Sequence, residues 1–416
     1  MERFLLITHY TPTKDNYNGP SALMYHLLKN RPSNIQLNIL SYNRNRVPNR
    51  VIIENSKILN ATINLISKRF YNRFFTSNKV NRILKFLRIR KLSADCYYSL
   101  PSSTLRSIDS FKPQLIFIYP HTSLKIAKQL HKYKIIVCGP DCVSLHYSRL
   151  LRDEYSFKYD KIKELMLKYY NRLLMEKEWG KLDNVLLYLV GQVDCTYFNI
   201  INNKIKAYFF PHPHYELANK TISFQHQIKI LISGKYDLYT YADITNLVLV
   251  LENNKNLILK NNFSLTFLGK GWEVLSDRLK KVGYNVNNVS WVNDYTDFIT
   301  NFDVQIFPIS VGSGTKGKVL DALSIGLLCI GSKYAFENIA VENTQSCVMY
   351  NDVEEIPAIL NYLYYHKEEY EQIAKKGREI VRLKHSPSFI INSIIEFVKI
   401  GKYEFNFNDY FKLDLK

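Results

Sequence analysis

The chain has 416 residues with 46% hydrophobic composition, enough for two or three folded domains and too apolar for a disordered chain. Its 56 Lys and Arg against 37 Asp and Glu give a formal charge of +19. That charge favours polyanionic partners (phosphates, nucleic acid or an anionic membrane surface) without choosing among them. No apolar run approaches the ~20 residues of a membrane span. The six cysteines form no regular framework, and Cys138 and Cys142 lack a second pair at metal spacing, which argues for a reduced cytosolic compartment.

The opening MERFLLITHY reads as a first strand, residues 3–8, rather than a signal peptide. A polar loop with the turn signal Asn18-Gly19-Pro20 leads to a helix over 21–29, with strand candidates at 35–40 and 51–53. This alternation predicts a parallel α/β sheet. Residues 55–94 contain no acid and ten Lys or Arg. Their apolar residues, from Ile58 and Ile63 through Phe74 to Leu87, fall at mostly helical spacing. The stretch therefore predicts a pair of interfacial helices on an anionic membrane surface. No nucleic-acid motif supports RNA as the partner.

Further strands are expected at 114–119, 135–138, 185–190 and 207–210, with His121 just past the first of these. A long amphipathic helix is expected over 158–181. A weakly patterned, polar stretch follows, and a second α/β alternation begins at 228. Its strands are expected at 228–233, 263–268, 286–292, 304–307, 327–330 and 347–350. Helical patterns fill 353–384 and 389–400. The resulting division is 1–212, a linker over 213–227, 228–385, and a C-terminal helix and tail over 386–416 that is free to cross back to the first domain.

Residues 303–331, DVQIFPISVGSGTKGKVLDALSIGLLCIG, concentrate the chemistry. Two buried-strand runs flank a helix, with Gly312 and Gly314 leading in, Thr315 placed as N-cap and Gly326 as C-terminal cap. The first N–H groups of such a helix have no intrahelical partner, and its dipole adds partial positive charge. The glycines allow close approach to the backbone, and Lys316 and Lys318 add full charges. Asp321 lies roughly 7.5 Å further along the axis, placed to accept sugar hydroxyls. Amides and lysines for a diphosphate, and a carboxylate for a sugar, suit a nucleotide. No spacing of His, Asp or Glu suggests a metal.

Residues 302–339 resemble a run typical of the GT-B glycosyltransferases, particularly the retaining family-four type that builds bacterial surface polysaccharides. NGPSALMYHLLK, FKPQLIFIYPH, CGPDCVSLHYSRLLRDE, IKILISGK and FSLTFLGKGWEVL resemble further segments of that family, in the same order, over roughly residues 1–385. The resemblance implies two Rossmann-like, doubly wound domains facing a cleft. The first, acceptor-binding domain would take a lipid-linked or saccharide acceptor and the second a nucleotide-sugar donor. It implies transfer with retention and without a metal or other cofactor; with the cysteine usage and the basic stretch, the expectation is a cytoplasmic protein peripheral at the inner face of the membrane. By motif position, Ser313, Gly314, Thr315, Lys316, Lys318 and Asp321 would hold the donor, joined by Gly234 and Lys235. Gly19 would be the first-domain loop glycine, and His121 would stand near the reacting sugar. Two departures stand out: the family's Glu-x7-Glu pair is replaced by Ser313 and Asp321, and Lys235 is followed five residues later by Thr240. They favour, as an alternative, a nucleotide-sugar-binding or scaffold protein without turnover.

Overall fold

A computed structural model describes residues 2–17, 20–67, 83, 86, 87, 94–152, 159–215, 218, 220–224, 226–234, 241–254, 260–403 and 405. These form two compact units, one within Met1–Pro213 and Pro387–Phe407, the other within His214–Ser386.

Unit 1 is built on a seven-stranded parallel sheet. Its strands are β1 (Glu2–Thr8), β2 (Ile35–Ser41), β3 (Ala61–Leu65), β4 (Leu115–Tyr119), β5 (Ile135–Gly139), β6 (Val185–Leu189) and β7 (Ala207–Phe209). They lie in the order β3-β2-β1-β4-β5-β6-β7. The winding reverses between β1 and β4, so the loops after these strands meet at the crevice where doubly wound sheets bind ligands. β4 and β5 are buried along their whole length, as expected of strands covered on both faces. The helices are α1 (Ala22–Lys29), α2 (Asn49–Ile58), α3 (Ser102–Phe111), α4 (Leu124–Gln129), α5 (Val143–Arg152), α6 (Tyr159–Lys177) and α7 (Gln192–Ile201).

Two elements differ from the sequence reading. Residues 51–53 lie in α2, not in a strand. Pro48 stands at the N-cap, and Ile52, Asn55 and Leu59 bury one face at helical spacing, which outweighs the local β-branched run. Residues 61–65, expected to be helical, form β3, which pairs along β2 at the sheet edge with only part of its surface covered. Of the basic stretch beyond Ser67 and up to residue 93, only Ile83, Phe86 and Leu87 are described, and all three are exposed. The expected membrane-facing helix pair therefore falls largely outside the described residues.

Unit 2 carries a six-stranded parallel sheet of β8 (Ile228–Ser233), β9 (Phe263–Leu268), β10 (Asn285–Val289), β11 (Val304–Phe307), β12 (Leu328–Ser332) and β13 (Val348–Tyr350). The order is β10-β9-β8-β11-β12-β13, with the reversal between β8 and β11. Its helices are α8 (Tyr241–Asn253), α9 (Glu273–Lys281), α10 (Tyr295–Ile299), α11 (Gly317–Ile325), α12 (Ile356–Tyr365) and α13 (Lys367–Lys384). Alternate strand residues point to opposite faces. Ile228, Ile230 and Ile232 thus join Val304, Ile306 and the α8 residues Ile244 and Leu247 in one core. Leu231 and Phe307 join the α11 residues Val319, Leu320 and Leu323 in the other. Each such aliphatic side chain contributes about 1.5–3 kcal/mol when fully buried. Within residues 213–227, Ile222 and Phe224 are buried in the first of these cores, and Lys220 pairs with Asp303 at 3.2 Å.

The last helix, α14 (Pro387–Ile400), belongs to unit 1. It packs on α1, Lys399 pairs with Glu2 at 2.7 Å, and Lys134 Nζ donates to Val398 O at 3.1 Å. Among the described residues no helix is long and apolar enough to cross a membrane.

Candidate functional site

In unit 2 the site gathers at the carboxyl ends of β8 and β11. The loop from Pro308 to Lys316 runs from β11 into α11. Gly314 adopts φ +63°, a left-handed conformation that glycine takes without steric cost. Its carbonyl accepts from buried Asn338 Nδ2 at 3.3 Å. The N-cap is Lys316 rather than Thr315: Lys316 has extended backbone and its carbonyl accepts from Val319 and Leu320. Those bonds begin the helical ladder and leave the Gly317 and Lys318 amides at the open, positive end. Gly326 closes α11 through its N–H to Ala322 O at 3.1 Å.

The two lysines do different things. Lys316 folds back, its Nζ donating to Ser313 O at 3.2 Å and Gly314 O at 3.0 Å, so it braces the loop it leaves. Lys318 extends over the ring of Tyr295, 5.5 Å from its centroid. Lys318 as a residue is exposed, yet protein crowds its ammonium. This desolvation lowers its pKa, opposed by the carboxylate of Asp321. Asp321 is half-buried, one turn on, and its charge also acts on the hydroxyls of Tyr215 and Tyr295, raising the pKa of each beyond the larger effect of burial.

Tyr295 is a residue that sequence reasoning missed. Its hydroxyl lies 3.1 Å from Ser233 Oγ, at the end of β8. Gln305 of β11 donates through Nε2 to Ser233 Oγ at 2.7 Å and to Tyr295 Oη at 3.2 Å. This half-buried triad joins the two strands at the reversal point and fixes the ring beneath Lys318. The signal available was slight: Asp294 is an N-cap, its side chain accepting from Asp297 N, and so starts α10 at Tyr295. Gly234, next after Ser233, donates to Leu268 O at 2.9 Å and accepts from Trp272 Nε1 at 3.0 Å. Lys235 and Gly19, both singled out from the sequence, lie outside the described residues.

In unit 1 the reversal between β1 and β4 brings together His9 and residues 120–123. His9 N donates to Tyr119 O at 3.1 Å, and His9 Nε2 and Ser123 Oγ share a bond of 3.1 Å. Tyr98 and Tyr42 surround the His9 ring at 4.6 and 5.8 Å, and Arg44 lies 5.9 Å from the Tyr98 centroid. His121 is 1% exposed, and neither of its ring nitrogens has a hydrogen-bond partner in the structure. It packs hard on β5: a Cβ on Gly139 would fall 2.5 Å from His121 Nδ1. Burial pushes its pKa down to about 4, with Asp141 opposing and Arg172 adding to the fall, so the imidazole is neutral at pH 7. A neutral imidazole offers one donor and one acceptor, a match for a hydroxyl. Among the described residues no group of three or more His, Cys, Asp or Glu is arranged to hold a metal ion.

A family description for group 1 glycosyl transferases matches residues 229–365, the sheet of unit 2 with helices α8 to α12. No relative was found among curated protein sequences. Solved structures resemble the chain over nearly its whole length. HepE of Anabaena, in complex with UDP and glucose, has a TM-score of 0.59 at 10% identity, covering 95% of this chain and 99% of that one. Sucrose-phosphate synthase from Thermosynechococcus elongatus scores 0.62 at 11% identity, covering 96% and 99%. A glycosyltransferase from Rickettsia africae scores 0.60 at 12% identity, covering 99% and 100%. At these identities the likeness defines the fold, which is GT-B: two Rossmann-like units in one chain.

Proposed function

We propose that the protein is a glycosyltransferase that moves a sugar from a nucleotide-sugar to a lipid-linked or saccharide acceptor in surface-polysaccharide assembly, with retention at the anomeric carbon. The observation that carries this reading is the open N-terminus of α11, with the Gly317 and Lys318 amides at its positive end, the Lys318 side chain over Tyr295, and a glycine loop braced by Lys316 leading in. In this reading the amides and Lys318 hold the diphosphate, with Gly234 contributing from the end of β8 together with Lys235, the next residue in sequence, and Asp321 takes ribose hydroxyls. Unit 1 takes the acceptor, and the neutral imidazole of His121 takes a sugar hydroxyl. In the reaction the bond from the anomeric carbon to the phosphate oxygen breaks and the acceptor oxygen bonds to that carbon. The acceptor's proton passes to the departing diphosphate. Charge grows on the leaving group, where preorganised amides and Lys318 stabilise it. HepE in complex with UDP and glucose supports a uridine nucleotide as the first donor to try.

The test is a thermal-shift panel of nucleoside diphosphates and nucleotide-sugars, since a ligand of the native state raises its melting temperature. Calorimetry on Lys318→Ala and Asp321→Ala should then show weakened binding; unchanged affinity in both variants sinks the assigned site. The second reading, binding without turnover, rests on Ser313 and Asp321 standing in place of two glutamates. Donor hydrolysis or transfer in an acceptor screen excludes it.

A further inference from the structure

Unit 2 holds a cavity of about 300 Å³ at the carboxyl ends of β11, β12 and β13. Its size is at the lower end of ligand sites, enough for a single sugar ring. It lies over the other face of the sheet from α11. Tyr350, which lines it, belongs to the core shared with α8 and α12, whereas the buried residues of α11 belong to the opposite core. The two places share one piece of chain. Pro308, Ile309 and Ser310 line the cavity, and two residues later the loop reaches Gly312. Asp243, in the first turn of α8, accepts from Ser310 N through Oδ2 at 2.9 Å and so ties the cavity wall to the loop that enters α11.

The lining has two carboxylates and one lysine, the reverse of the balance in the whole chain. Two carboxylates, Asp243 and Asp352, both act on the buried Tyr350 hydroxyl, and together with burial they push its pKa up. Asn246 and Asn351 add amides that both donate and accept, and the half-buried ring of Tyr334 adds an apolar surface. The lysine in the lining, Lys333, is turned to the Tyr334 ring, 5.4 Å from its centroid. Paired carboxylates repel a phosphate. Carboxylates, amides and an aromatic face suit a ligand with many hydroxyls on one side and C–H groups on the other.

We infer that this cavity binds a neutral saccharide ring at a site separate from the diphosphate-holding end of α11. The ring belongs either to a glycan chain, as acceptor or product, or to the donor's own sugar. The inference rests on the transfer reading for the class of its ligand, and on the cavity's own chemistry for its place. Through Asp243 and Ser310 its occupancy bears on the position of the donor loop.

The experiment is ligand-observed saturation-transfer NMR on the full chain with glucose, galactose, N-acetylglucosamine and their disaccharides, alone and with saturating UDP or UDP-glucose. Transfer to at least one sugar is expected. It should fall about fivefold in Tyr334→Ala and in Asn351→Ala, the loss of roughly one hydrogen bond or stacking contact. UDP affinity should stay the same in both. Asn351 is exposed, so that variant reads the site without disturbing the core. Sugar binding that persists under UDP-glucose identifies a glycan chain. Binding displaced by UDP-glucose but not by UDP identifies the donor's sugar. No transfer to any sugar in the wild type, or transfer unchanged in both variants, overturns the proposal. Failure of UDP to bind, with sugar binding intact, overturns the donor-site reading and leaves this one standing.

Discussion

The carboxyl edges of the two sheets have the same topology and opposite chemistry. Each lies at a reversal of winding, β1 against β4 in unit 1 and β8 against β11 in unit 2. In unit 2 the reversal point is flanked by an open helix end, a glycine in left-handed conformation and an ammonium over a tyrosine ring. In unit 1 it is flanked by buried imidazoles and tyrosines, with the arginine of the group at the margin. In the proposed reading, one edge takes an anion and the other takes hydroxyls. The fold supplies the two crevices; the loop residues decide what each crevice takes.

The sharpest way to break this contrast is through protons. His121 and His212 are both buried in unit 1, and desolvation pushes each pKa down to about 4 from an unfolded value of 6.5. Below pH 6.5 the unfolded chain binds more protons than the folded one. Stability is therefore fully present above pH 6.5 and declines as pH falls toward 4, by on the order of 3 kcal/mol for each imidazole. Urea unfolding at pH 7.5 and pH 4.5 should show a smaller acid loss for His121→Gln than for the wild type. An equal loss means that His121 is not held neutral.

Next in size is catalysis. If unit 1 meets hydroxyls, His121→Ala should reduce transfer about 10²-fold, a typical cost for a positioned imidazole, with nucleoside diphosphate affinity unchanged. Gly139→Ala should give part of that loss, because its methyl group would displace the His121 ring. In the mirror experiment, Lys318→Ala should weaken diphosphate binding by about tenfold, the loss of one charge-assisted contact. Lys316→Ala should act less on affinity and more on loop order, since Lys316 donates to carbonyls of its own loop. The smallest effect is expected for Tyr295→Phe. It keeps the ring under Lys318 and removes the hydroxyl shared by Ser233 and Gln305, costing about 1 kcal/mol of stability in thermal unfolding.

Much of unit 2 was legible in the chain because its signals are local. The run 304–307 is apolar throughout apart from Gln305 and bounded by Asp303 and Pro308, and it forms β11 over those same residues. Gly326 ends α11 where the helical pattern stops. Unit 1 was harder where tertiary pairing overruled local pattern. Residues 51–53 look like a strand, but burial at Ile52, Asn55 and Leu59, spaced i, i+3 and i+7, puts them in a helix. Residues 61–65 look helical in a basic context, but they add an edge strand to β2. The site was legible as motif and not as geometry. Lys316 and Lys318 are indistinguishable as letters, and only the fold turns one onto its own loop and the other over Tyr295. The Ser233–Tyr295–Gln305 triad joins residues up to 72 positions apart, and Asp243 reaches Ser310 across 67. No periodicity records such contacts.

Hydrogen–deuterium exchange with and without saturating UDP tests the division between the two edges most directly. The account predicts slowed exchange at Gly317 and Lys318 and in the loop leading to them from Ser310, with no change at residues 119–123 of unit 1. Protection at 119–123 with none at Gly317 and Lys318 would contradict it.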